Sequence, residues 1–83
     1  MSAVVHVEVL GHLIFFMPEE MRSGSSATAS VTAGTPAIDV PGILGIPKHE
    51  VQSVVVNGTA ITDPGTRLDP SDRVVILPVV VSG

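Results

Sequence analysis

His6, His12 and His49 are the only side chains in this sequence suited to metal ligation or acid–base work near neutral pH. Their spacing matches no ligand motif, and all three read as solvated surface residues. Asp63, Asp69 and Asp72 sit in a proline-rich connection. A calcium loop would need a regular Asp alternation and a closing Glu, which are missing, so they read as turn formers, with Asp69 and Asp72 capping the bend before the last strand. Asn57-Gly58-Thr59 fits a glycosylation acceptor, yet Asn-Gly after a β-branched run is first of all a two-residue hairpin turn. There is no cysteine, hence neither a disulfide framework nor a thiolate zinc site. No glycine-rich phosphate loop, nucleophile elbow or Ser/His/Asp constellation can be assembled. The chain is therefore expected not to be an enzyme by itself.

The elements that would position any reactive group must come from one small domain. A chain of 83 residues buries only roughly 60% of the surface its unfolded form exposes, which leaves no room for a deep enclosed active site. Apolar residues are 45% of the sequence, but Phe15 and Phe16 are the only aromatics. The core must then be built from Val, Ile, Leu and Ala, a composition that favours strands. Four basic against eight acidic residues give a net charge of −4, which repels a phosphate backbone and argues against a nucleic-acid partner. The N-terminus lacks the basic region and apolar stretch of a signal peptide, and no apolar run approaches the roughly 18 residues of a membrane span. A cytoplasmic protein without a membrane partner is expected.

Period-2 alternation marks Val4 to Leu10 as a strand, with Val5, Val7 and Val9 on one face and His6 and Glu8 on the other. Leu13 to Pro18 is too short and too evenly apolar to assign. Ser23-Gly24-Ser25-Ser26 reads as a turn into a second, antiparallel strand from Ala27 to Ala33. Thr35 before Pro36 has the form of an N-cap followed by proline at the first helical position. Val40, Ile43 and Leu44 then fall on one helical face. Pro41 and Gly42 predict that this short helix is kinked or partly 3₁₀. Gly45-Ile46-Pro47 ends it. Val51 to Val56 is a dense β-branched strand, turned by Asn57-Gly58 into a brief return over Ala60 to Thr62. Arg73 to Leu77 is the last strand. The order predicts an α+β fold of β-grasp topology, with a mixed sheet of four to five strands and one short helix packed on one face. Residues 1–78 would be the domain and 79–83 a flexible tail.

The run Gly45-Ile46-Pro47, Val54-Val55-Val56-Asn57-Gly58, Leu68, Asp72-Arg73-Val74, Ile76, Pro78-Val79 and a terminal glycine resembles, in order and spacing, the ubiquitin-like sulfur carriers of the MoaD/ThiS family. The likeness covers the C-terminal half strongly and the N-terminal half in strand order and length. It implies that an E1-like adenylating enzyme activates the Gly83 carboxylate with ATP and that sulfur then replaces AMP. The resulting thiocarboxylate would serve a sulfur-accepting enzyme in molybdopterin or thiamin biosynthesis. The chain itself would bind no cofactor, since ATP belongs to the partner. Glycine suits the reacting end because backbone without a side chain can thread a narrow channel. The family ends in Gly-Gly, whereas this sequence ends Val81-Ser82-Gly83, so Ser82 occupies the threading position and one further glycine would restore the pair.

Val79, Val80 and Val81 form an apolar stretch that is expected to dock on the partner enzyme, together with outward-facing Val75 or Leu77 of the last strand. The competing reading is that the last strand runs on to Val81 within the sheet. For the whole chain, the alternative to a carrier is a β-grasp interaction or regulatory module without carrier chemistry, for which Ser82 is the best support. A subunit held stably on a larger enzyme is compatible with the carrier reading.

Overall fold

A computed structural model describes residues 3–80. Six strands form one mixed sheet: β1 (Val4–Leu10), β2 (Arg22–Ser23), β3 (Ser26–Thr32), β4 (Val51–Val56), β5 (Thr59–Ala60) and β6 (Val74–Pro78). Their order across the sheet is β2-β3-β1-β6-β4-β5. β1 pairs antiparallel with β3 and parallel with β6, and β6 pairs antiparallel with β4. Two hairpins joined through a crossover, with the first and last long strands parallel at the centre, make this a β-grasp. The count exceeds the expected four to five strands because two-residue β2 doubles back on the start of β3.

Alternation sets which face is buried. Val5, Val7 and Val9 of β1, Ala27, Ala29 and Val31 of β3, Val54 and Val56 of β4, and Val74 and Ile76 of β6 all point to one side and are buried. The layer over them contains Leu13, Ile14, Met17, Ala37, Val40, Ile46 and Leu68. Phe15 and Phe16, the only aromatics, stay exposed. The unassigned apolar stretch is a 3₁₀ helix, Gly11–Phe16, that turns Leu13 and Ile14 inward. Arg22 holds its far end, donating from Nε and Nη2 to the Met17 carbonyl at 3.2 and 3.0 Å.

The crossover helix departs from the expected start. Thr35 does not cap it: its hydroxyl donates back to the Thr32 carbonyl at 2.6 Å. Pro36 is extended at ψ 133°, a 3₁₀ turn follows over Ala37–Asp39, and α1 is only Val40–Ile43. Pro41 explains the switch. It has no N–H for the α-helical bond to the Ala37 carbonyl, and Val40 N–H takes that acceptor in 3₁₀ fashion instead. The buried positions are Ala37, Val40 and Pro41, while Ile43, expected inward, is exposed. The helix ends in a Schellman arrangement. Gly45, at φ +79°, donates to Gly42 at 3.1 Å, and Ile46 N–H reaches the Pro41 carbonyl at 2.8 Å.

Asn57 and Gly58 have φ of +53° and +85°, the two positive values that a type I′ hairpin turn needs. The return strand is Thr59–Ala60 rather than Ala60 to Thr62, although Ile61 N–H still bonds the Val54 carbonyl. The Asn57 side chain does a second task. Its Oδ1 accepts from Arg73 N–H at 2.9 Å, and its Nδ2 donates to Asp72 Oδ1 at 2.9 Å. Asp72 Oδ2 in turn accepts from Asp69 N–H at 2.8 Å. This network joins the hairpin tip to the entrance of β6, so Asp72 is the turn former that its sequence context predicts. Asp72→Ala is expected to cost about 1 kcal/mol or more by removing both bonds, measured as a lower denaturant midpoint at unchanged slope.

Candidate functional site

The end of β6 is where the chain leaves the sheet. Val74 and Ile76 face the core, so Val75 and Leu77 must face the opposite, outer side, and both are half-buried there. Register places Val75 between Glu8 of β1 and Val55 of β4, and Leu77 opposite Ser53. Val55, Val75 and Leu77 therefore form an apolar strip on the outer face. On the far side of β1 that face turns polar, through His6, Glu8, Thr28 and Ser30, all exposed. Val55 escaped attention in the sequence because a β-branched run shows no alternation from which to read its face. The cross-strand pairing with Val75 reveals it.

Past Leu77 the chain is tied down before it departs. Pro78 closes β6, and its ring lies so near Gly11 that a Cβ on that glycine would approach Pro78 Cγ to 2.7 Å. Gly11 has φ +63°, a conformation glycine adopts without penalty. Val79 N–H donates to the Glu50 carbonyl at 3.0 Å. The Glu50 carboxylate is itself held, accepting from His12 Nε2 at 2.7 Å, with His49 Nε2 3.4 Å from its other oxygen. His12 and His49, expected as solvated surface side chains, thus meet at the carboxylate of the residue whose carbonyl holds Val79. No sequence signal links His12 to Glu50, because they are 38 residues apart.

Of the residues expected to dock a partner, Val75 and Leu77 lie in the outer strip, Val79 is at its edge and 37% exposed, and Val80 is 77% exposed. The assigned strand stops at Pro78. Val81, Ser82 and Gly83 lie outside the described residues, so the expected reacting carboxylate and threading position do as well. His6 lies with its Nδ1 3.4 Å from the Ser30 hydroxyl, away from the other two histidines in the fold. Among the described residues no group of three or more His, Asp or Glu side chains is arranged to hold a metal ion. No described helix is long and apolar enough to cross a membrane. A groove of about 410 Å³ runs between α1 and β4, lined by Ile38, Pro41, Ile46 and Val51 with Asp39 and Lys48 at its sides. Its walls are mostly aliphatic.

What this arrangement offers chemically is a surface: an apolar strip on the outer face that leads along β6 to Pro78 and Val79, which are held by Gly11 and Glu50. Comparison with known proteins agrees with that architecture. The family model described as Mut7-C ubiquitin matches residues 2–82, nearly the whole chain. No curated protein matches it. The chain thus belongs to the Mut7-C ubiquitin family, as a ubiquitin-like β-grasp domain related to the MoaD/ThiS-type sulfur carriers.

Proposed function

We propose that this ubiquitin-like domain is a sulfur carrier whose reactive group is the carboxylate of a C-terminal glycine, Gly83 or a glycine directly after it. A carboxylate oxygen attacks the α-phosphorus of ATP in an E1-like adenylating enzyme, and pyrophosphate leaves. Sulfide then attacks the acyl carbon of the adenylate, AMP leaves, and the thiocarboxylate remains. A biosynthetic enzyme of the molybdopterin or thiamin type accepts the sulfur. ATP and the catalytic groups belong to the partners, while the carrier supplies a docking face and a threading tail.

The observation that supports this reading is the continuity of the apolar strip with the exit. Val55, Val75 and Leu77 run into Val79 and Val80, so an enzyme that grips the outer face also receives the tail. Desolvation of such a strip is what gives a small contact its affinity. A charge placed at Val80, which is 77% exposed, should act on binding alone, since that side chain does not support the core.

The test is incubation of the chain with ATP, a sulfur donor and the adenylating enzyme of its native host, followed by intact-mass analysis. The expected product gains the mass difference of sulfur for oxygen at the C-terminus. Val80→Asp is expected to slow its formation by about tenfold or more, with an unchanged circular-dichroism spectrum. Absence of the thiocarboxylate, or a gene that continues past Gly83 in residues other than glycine, would favour an interaction or regulatory module of the same fold. Ser82, at a position where the carriers have glycine, is the observation behind that second reading.

A further inference from the structure

The two aromatic side chains of this protein both lie outside its core. Phe15 is 69% exposed, and Phe16 and Met21 are exposed as well. A side chain left in water adds little to folding by burial. Large apolar side chains exposed within one short segment mark a contact surface.

The segment that carries them is stapled. Arg22 Nε donates to the Ile14 carbonyl at 3.0 Å as well as to that of Met17. The same guanidinium lies over Phe15, its carbon 5.3 Å from the ring centre. Met21, the residue before this arginine, is fixed in turn by the bond from its N–H to the Pro18 carbonyl at 3.0 Å. A part-buried cation thus ties the backbone from within and steadies an exposed ring on one side. The surface is ordered before any partner arrives, which lowers what binding must supply.

Position relates this surface to the end of β6. The 3₁₀ helix Gly11–Phe16 begins where Gly11 lies against Pro78 and His12 reaches Glu50, whose carbonyl holds Val79. At a rise of about 2.0 Å per residue, Gly11 and Phe16 are roughly 10 Å apart along it. One side of a standard interface covers about 800 Å², so a partner seated around Val79 and Val80 has the span to cover Phe15 and Phe16. Charge narrows the kind of partner. Glu19 and Glu20 follow on the next 3₁₀ turn, both exposed, and among the described residues neither joins an ion pair. These carboxylates disfavour an anionic membrane, and a second copy would bring the same acids to the contact. They suit a protein surface that is apolar with lysine or arginine at its rim.

We propose that Phe15, Phe16 and Met21, flanked by Glu19 and Glu20, form a second contact for the adenylating enzyme, received by an apolar recess with basic side chains around it. This rests on the carrier reading above. Under that reading the adenylating enzyme brings a carboxylate up to the phosphates of ATP, and its site needs positive charge to offset their repulsion. Acidic side chains within reach of that field are drawn to it. The contact binds the carrier and takes no part in the transfer itself.

Pyrophosphate release by the adenylating enzyme of the native host, followed at increasing concentration of the intact chain, gives the KM for the carrier. Phe15→Ser should raise it by about tenfold or more at unchanged kcat and unchanged urea midpoint, the pattern of lost uniform binding. Glu19→Gln combined with Glu20→Gln should raise it about threefold or more at ~50 mM salt and hardly at all at ~0.5 M, where screening removes the attraction. No pyrophosphate from the unaltered chain would overturn the carrier reading and this contact with it. Release by the unaltered chain with KM unmoved in both variants would overturn the contact alone. So would a fall in kcat at constant KM, because Phe15 would then act on the placing of the carboxylate.

Discussion

Ile76→Ala is expected to destabilise the domain by about 2–5 kcal/mol, a large fraction of its total stability. Ile76 is fully buried in β6, with Val9 beside it on one neighbouring strand and Val54 on the other. Truncation removes apolar area and opens a cavity that two flanking strands cannot collapse into, because each is pinned by its own ladder. A domain of this length has a net stability of only about 4–12 kcal/mol, at roughly 0.05–0.15 kcal/mol per residue. Ile76→Val, which keeps the β-branch, should cost no more than about 1.5 kcal/mol. Urea titration of both variants checks the pair, and a loss below 1 kcal/mol for the alanine would contradict the central place given to β6.

The second large effect is expected at Gly11. Its φ of +63° costs an L-residue about 1–2 kcal/mol, and a Cβ there would stand 2.7 Å from Pro78 Cγ. A proline ring cannot swing aside as the end of a long side chain can, so Gly11→Ala must displace either the 3₁₀ turn or the end of β6. Gly24 supplies the internal control. It has nearly the same φ, +64°, but an added Cβ would meet nothing within 4 Å. Gly24→Ala should therefore show the conformational penalty alone, and Gly11→Ala should exceed it by about 1 kcal/mol or more, in the range of an overpacked contact. In amide NMR spectra, Gly11→Ala should also shift Val79 and Glu50, whose backbone groups are bonded to each other. Equal penalties at the two glycines, with Val79 unmoved, would show that Pro78 does not rest on Gly11.

Much of the frame was legible in particular residues. The alternation of Val5, Val7 and Val9 with His6 and Glu8 reports a one-sided strand because neighbouring side chains point to opposite faces, and β1 has the bounds which that pattern predicts. Asn57-Gly58 announces its turn because two consecutive positive φ angles suit almost no other pair. Pro41 betrays the broken start of α1, since a missing N–H is a property of the residue itself. The Leu13–Phe16 run was not legible. Four apolar residues in succession have no period, and only the cover they make over the sheet decides that Leu13 and Ile14 turn in while Phe15 and Phe16 turn out. Ile43 misled for a related reason: in a helix of one turn preceded by a 3₁₀ segment, the inward face begins at Ala37 and does not follow an ideal α-helical phase.

The candidate site divides in the same way. By itself the amino-acid sequence determined the order of the main elements and the apolar character of the segment after β6, because these depend on residue type and local spacing. Tertiary structure alone decided that Val55 stands beside Val75, that His12 reaches Glu50 and that Val79 is held by the Glu50 backbone. Those relations join residues far apart along the chain. They exist because parallel pairing of β1 with β6 brings the two ends of the sequence side by side at the centre of the sheet.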